Sequence, residues 1–254
     1  MLNRSYLIRL ALQEKCASAS GGIGLCLSRK LAASGATVLL LARNRERLEQ
    51  ALRTLPPGNH AIIPFDVAKL ADIAGLIDSL LVSYNKIDGC VYCVGNGDIV
   101  RLRDLSYERL HAIMLTNFYA FIEFVRSLTQ KKPKKQCMSI VGISSLASIA
   151  PEKYFTIYAA SKAAMETAVR CLALELAIKN TTINTIRPGV VATSRLAHLN
   201  EFTGDIGTKI KESGFQPLGL IPPEDVADMT LYLLSDTAKF ITGAAIPING
   251  GALC

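Results

Sequence analysis

No apolar run in this 254-residue chain reaches the ~18 residues that a membrane-spanning helix needs, so no membrane span is expected. Near the start, Arg4 and Arg9 bracket only a few apolar residues, too few for the core of a signal peptide. The expectation is therefore a cytoplasmic protein. There are only three histidines, and the single Cys-x-x-Cys pair, Cys90 and Cys93, has no second pair to complete a metal site. No metal is expected. The seven cysteines are odd in number and several sit in apolar stretches, which fits free thiols in a reducing compartment. No low-complexity linker or internal repeat divides the chain, so one domain over residues 1–254 is expected. The net charge of +7 is scattered except for Lys131-Lys132-Pro133-Lys134-Lys135, and no nucleic-acid motif accompanies it. That basic run is either a solvated loop or a docking place for an acidic partner.

What is present is a large apolar fraction in a regular rhythm. Half the residues are hydrophobic and 19% are charged, enough for a substantial core. β-Branched runs at Ser5–Leu12, Ala36–Leu41, Ala61–Phe65, Gly89–Val94, Cys137–Ile143, Thr182–Ile186 and Ala245–Ile248 read as strands. Helix-period stretches lie between them at Leu25–Ala33, Glu46–Thr54, Ala68–Tyr84, Tyr107–Thr129, Phe155–Ala177 and Pro223–Leu234. This alternation implies an α/β fold: a Rossmann-like, doubly wound parallel sheet of about seven strands with helices on both faces. The polar, less periodic segment 194–217 is either a lid over a site or an ordinary surface excursion.

Tyr158 and Lys162 stand four positions apart in a helical stretch, and so share one face about one turn from each other. An ammonium near a phenol favours its ionised form, which is one way to make a proton donor and acceptor near neutral pH. Such a pair is also common on ordinary amphipathic helices. Ser145, ahead of it at a strand end, could hold a carbonyl or alcohol oxygen beside the phenol, with Ser144 as the second candidate. Further upstream, Ala17-Ser18-Ala19-Ser20-Gly21-Gly22-Ile23-Gly24 opens a helix. Backbone amides at such a start can hold a pyrophosphate. Arg43 follows the next strand, where an acid would favour the ribose hydroxyl of NAD and an arginine accommodates the 2′-phosphate of NADP. Its alternative is a helix-flanking surface charge.

Taken together these residues resemble the short-chain dehydrogenase/reductase family, over essentially the whole chain. The family's phosphate turn is Thr-Gly-x-x-x-Gly-x-Gly. Here Gly22 and Gly24 fit, whereas Ala17 and Ser18 stand in place of the Thr and the first Gly. The family also places a strand directly before the turn, where this chain has Gln13-Glu14-Lys15. Either the first loop is longer or the strand is shifted. The resemblance implies catalytic roles for Asn117, Ser145, Tyr158 and Lys162. It implies cofactor contacts at Ser18, Ser20, Gly22, Ile23, Gly24, Arg43, Asn44, Asp66 and Val67. It further implies contacts at Cys93, Val94, Gly95, Tyr158, Lys162, Pro188, Gly189, Val191 and Thr193. Ile241-Thr242-Gly243 and Asn249-Gly250-Gly251 resemble the family's closing strand.

The implied activity is reduction of a ketone to a secondary alcohol, with NADP(H) favoured over NAD(H). Tyr158 would be the acid/base, and Asn117 would hold a water linking Lys162 to solvent. Within the family the C-terminal half looks most like the 3-oxoacyl-acyl-carrier-protein reductases. Lys134, Lys135 and Lys179 would then meet an acidic carrier protein, or are simply solvated. The alternatives are a dehydrogenase of a free alcohol, sugar or steroid-like substrate, or a weakly active scaffold that keeps only the fold. Family members pair through the helices that here are Tyr107–Thr129 and Phe155–Ala177, which implies a homodimer or homotetramer. Phe118, Phe121 and Phe124 serve that interface or the core.

Overall fold

The structure is a computed structural model that describes residues 8–12, 22–97, 99–193, 196 and 206–252. Its seven strands are β1 (Ile8–Leu12), β2 (Thr37–Ala42), β3 (Ala61–Pro64), β4 (Gly89–Tyr92), β5 (Met138–Ile143), β6 (Thr181–Pro188) and β7 (Ala245–Ile248). All pair in parallel, in the order β3-β2-β1-β4-β5-β6-β7. Parallel neighbours need crossovers, and helices supply them. These are α1 (Ile23–Ala33), α2 (Arg45–Arg53), α3 (Leu70–Tyr84), α4 (Tyr107–Met114), α5 (Ala120–Lys131), α6 (Thr156–Ala177) and a C-terminal helix, Pro223–Leu233.

Strand residues alternate between two buried layers, because successive side chains point to opposite faces. Leu39, Leu41, Cys90, Tyr92 and Ile140 pack with α3, α5 and α6. Val38, Leu40, Val91, Val141 and Ile143 pack with α1, α2 and the C-terminal helix. A sheet covered on both faces explains why its strands read as continuous apolar runs rather than polar–apolar alternation. Cys90 sits in one layer and Cys93 packs against the other, and neither is in a disulfide. Burial pushes the Cys90 thiol well above its ordinary value.

One sequence expectation changes here and one open choice is decided. The stretch Tyr107–Thr129 is not one regular helix: a π-helical turn, Leu115–Tyr119, separates α4 from α5. The Tyr92 hydroxyl holds the wide turn by donating to the Thr116 carbonyl at 2.5 Å. The first strand ends at Leu12, level with Leu41 of β2 and Tyr92 of β4, so the extra length falls in the connection to α1. Within that connection residues 13–21, with Ala17, Ser18 and Ser20, lie outside the described residues, as do 194–195 and 197–205 of the expected lid segment. Residues 206–212 of that segment form a short helix. Phe121 and Phe124 are core residues, 1% exposed, and so unavailable to an interface.

Candidate active site

In an open parallel sheet, ligands bind beyond the strands' carboxyl ends where the winding reverses. That point lies here between β1 and β4. A cavity of about 280 Å³ opens there. Gly22, Ile23 and Gly24 line one side, Gly95 and Gly97 the floor, and Ser145, Tyr158, Lys162 and Pro188–Val191 the other side.

Tyr158 and Lys162 occupy consecutive turns on the sheet-facing side of α6. The Lys162 ammonium is buried and donates to the Ile143 carbonyl at 2.8 Å, and it lies 5.9 Å from the centre of the Tyr158 ring. Ile143 ends β5, so this bond ties the helix to the strand end that leads to Ser145. Gly95 packs closely against the same ammonium. A Cβ there would sit 2.9 Å from Lys162 Nζ.

Asn117 stands in the middle of the π-helical turn and is fully buried. Its Oδ1 accepts from the Asn96 amide at 2.8 Å, and its Nδ2 donates to the Asn96 carbonyl at 3.0 Å and to Ser161 Oγ at 2.9 Å. The extra residue of a π turn often marks a functional position. Here it aims one amide at the loop after β4 and at the helix carrying Tyr158.

The two adjacent serines divide their work. Ser144 is buried and donates to Glu166 Oε1 at 2.6 Å. Ser145 caps the turn Leu146–Ser148, accepting from the Ala147 amide at 3.2 Å, and lines the cavity. Glu166 was absent from the sequence-based candidates, yet it is the most connected carboxylate near the site. It accepts from Ser144, from Ser148 at 2.7 Å, and from both Arg187 Nε at 3.1 Å and Nη2 at 2.6 Å. Burial opposes its ionisation, but the hydrogen bonds from Arg187, Ser144 and Ser148 outweigh that and hold it below the usual carboxylate range. A signal existed: Glu166 repeats the Tyr158–Lys162 spacing once more, which puts a charge on the helix's buried face.

A second missed residue is Gln216, also fully buried. It accepts from the Val190 amide at 2.9 Å and donates to the Val190 carbonyl at 3.1 Å and to the Gly219 carbonyl. It thereby holds the Pro188-Gly189-Val190 segment against the chain near the C-terminus. A Cβ at Gly189 would come within 2.3 Å of Gln216 Oε1. Nothing in the sequence distinguishes this glutamine from a surface one.

Some expected contacts lie off this cavity. Arg43 follows β2 directly, Asn44 caps α2 by accepting from the Arg47 amide, and Asp66 accepts from the Ala68 amide. Val67 and Val94 are buried in the core layer of α3, α5 and α6. Cys93, Val191 and Thr193 line the cavity. Lys134, Lys135 and Lys179 also lie off this cavity. Lys134 and Lys135 precede β5 and Lys179 follows α6, so they sit at the sheet end opposite the cleft. At ~1.5 Å per helical residue, Lys179 is about 30 Å from Tyr158.

The cavity suits a dinucleotide. Gly22 precedes α1 and offers it no side-chain cap, leaving the first amides of the helix to a ligand, and glycines keep the cavity floor low enough for close approach. Gly95, Pro188–Val191 and Lys162 form the opposite wall.

Comparison with known proteins agrees with this geometry. Residues 17–252 match the family described as Enoyl-(Acyl carrier protein) reductase. An L-xylulose reductase of Caenorhabditis elegans is 33% identical over 240 residues, 92% of each chain. A 3-oxoacyl-(acyl-carrier-protein) reductase of Rickettsia conorii is 33% identical over 242 residues, 92% of this chain and 94% of that one. Among solved structures, a variant of actinorhodin polyketide ketoreductase with NADPH superposes with a TM-score of 0.85 at 25% identity, covering 99% of this chain and 98% of that one. L-sorbose reductase from Gluconobacter frateurii, complexed with NADPH and L-sorbose, superposes with a TM-score of 0.87 at 25% identity over 98% and 97% of the two chains. The chain belongs to the short-chain dehydrogenase/reductase family of NAD(P)-dependent oxidoreductases.

Proposed function

We propose that this chain is an NADPH-dependent ketoreductase that converts a neutral ketone to a secondary alcohol. The observation that carries this reading is the convergence of Ser145, Tyr158 and Lys162 on one cavity whose far wall is the glycine-lined start of α1. When bound, the nicotinamide supplies the hydride. Ser145 donates a hydrogen bond to the carbonyl oxygen, a stabilisation aimed at charge that grows in the transition state. Tyr158 delivers its proton to that oxygen as the alcohol forms. Lys162 places a positive charge beside the phenol and holds the ribose side of the cleft. Asn117 orders the loop at Asn96 through two hydrogen bonds and, with a bound water, links Lys162 to solvent. Arg43, directly after β2, meets the 2′-phosphate and sets the preference for NADPH.

The apolar wall of Ile99, Phe155, Val190 and Leu196 favours an apolar ketone over a ketose, since a polyol would leave hydroxyls unpaired there. A 3-oxoacyl thioester fits that wall. Delivery by a carrier protein through Lys134, Lys135 and Lys179 requires a second chain. An antiparallel pairing along α5 and α6 would set one chain's lysines beside the other's cleft. The reading is tested by measuring NADPH consumption with acetoacetyl thioesters, simple alkyl ketones and ketoses. Turnover of the first two classes supports it. Turnover of ketoses alone, or NADPH binding without any turnover, contradicts it.

A further inference from the structure

A smaller pocket of about 120 Å³ continues from Ser145 and Tyr158 away from the glycine wall. Leu146, Ala150, Phe155 and Phe215 enclose it, and Glu152 stands exposed at its mouth. Its walls are fixed by ring and backbone contacts. Phe155 lies 5.9 Å from the Tyr158 ring, and it follows Tyr154, whose backbone takes φ +71° while its carbonyl accepts from the Val100 amide at 3.0 Å. A non-glycine residue in that conformation carries strain, which neighbouring contacts must hold in place. Phe215 immediately precedes Gln216, whose buried amide grips both backbone groups of Val190. The pocket is thus built from the same clamp that holds the Pro188–Val190 segment.

We propose that this pocket is a short apolar subsite, closed by Phe215, that receives one alkyl substituent of the ketone and sets an upper limit on its length. The inference rests on the ketoreductase reading and adds the chemical class and size of the group beside the reacting carbon. At roughly 30 Å³ per small group, the volume holds about four carbons. No hydrogen-bonding side chain faces a buried chain end among Leu146, Ala150, Phe155 and Phe215, so a terminal hydroxyl there would lose its partners. Glu152 repels a chain that ends in a carboxylate.

The test combines two readouts on the full chain. In the first, kcat/KM is measured with NADPH for methyl ketones of increasing alkyl length. It is expected to rise roughly fourfold per methylene up to about four carbons and then to fall. In the second, calorimetry measures binding of unreactive N-alkyl acetamides of the same lengths to the NADPH-loaded protein, and the affinity should break at the same length. Phe215→Ala is expected to move both breaks to longer chains, and Ala150→Leu to shorter ones. If Phe215→Ala fails to fold, Phe215→Leu with Ala150→Leu keeps the comparison. A break in amide binding without turnover of any ketone leaves the subsite standing and removes the ketoreductase reading. No dependence on chain length, or a break that none of these variants moves, overturns the subsite.

Discussion

Arg187 at the end of β6 holds the buried carboxylate of Glu166 on α6 through two hydrogen bonds, of 2.6 and 3.1 Å. That one pair joins the three elements of the site. Glu166 lies a turn beyond Lys162, Arg187 adjoins Pro188, and Ser144 and Ser148 on either side of Ser145 both donate to the same carboxylate oxygen. Removing one partner of a buried pair leaves an uncompensated charge, at a cost of about 3–5 kcal/mol. Glu166→Ala is therefore expected to lower the denaturant midpoint strongly, and Arg187→Met to do so comparably. The double replacement Glu166→Leu with Arg187→Met should recover much of the loss. Chemical denaturation of the four proteins checks this.

The same carboxylate makes a statement about pH. Its folded-state pKa lies below its unfolded value. Its contribution to stability is present above the unfolded value and is lost as the pH falls through the folded one. The wild type is therefore expected to lose stability on acidification more steeply than Glu166→Gln, which has no charge to neutralise at that position. Thermal melting from neutral to acid pH compares the two slopes.

Much of this arrangement was legible beforehand, and the reasons are physical. β-Branched runs and the Tyr158–Lys162 spacing report local geometry, so the seven-stranded sheet and the helix face followed from them. Ser145 already ranked ahead of Ser144 in the sequence, and the structure adds the partner that occupies Ser144, the Glu166 carboxylate. Gln216 and Arg187 carry no local signal, since their importance lies in which distant backbone or carboxylate they reach. The π-helical turn at Asn117 escaped because the apolar period of Tyr107–Thr129 runs through it almost undisturbed. The lysines at 134, 135 and 179 were placed before β5 and after α6 from the sequence, but their distance from the cleft follows only from the topology.

Asn117 satisfies both backbone groups of Asn96 and the Ser161 hydroxyl. Truncation to alanine removes all three bonds, of which the one to Ser161 is buried, at about 1–3 kcal/mol for a lost buried partner. Asn117→Ala is expected to be clearly destabilised, and its activity should fall further than that of an equally destabilised variant remote from the cleft. Paired melting and rate measurements check this.

Gly95→Ala adds a methyl 2.9 Å from the Lys162 ammonium, which is held by the Ile143 carbonyl. The ammonium must move or the loop must lift. The expected result is a fall in kcat of about tenfold or more with a small change in melting temperature. Steady-state kinetics beside a thermal scan reads both.

Arg43→Asp reverses the charge directly after β2. The ratio of kcat/KM for NADPH to that for NADH is expected to fall by about a hundredfold, on the scale of one lost charge-assisted contact. Kinetics with each cofactor at a fixed ketone concentration checks this.

The central claim is that the Tyr158 hydroxyl carries the proton that completes the alcohol. Turnover by Tyr158→Phe, measured alongside NADPH binding by fluorescence titration, tests it most directly. A loss of about 100-fold or more in kcat with cofactor binding retained is the predicted result. A variant that keeps more than about a tenth of the wild-type rate would contradict the account.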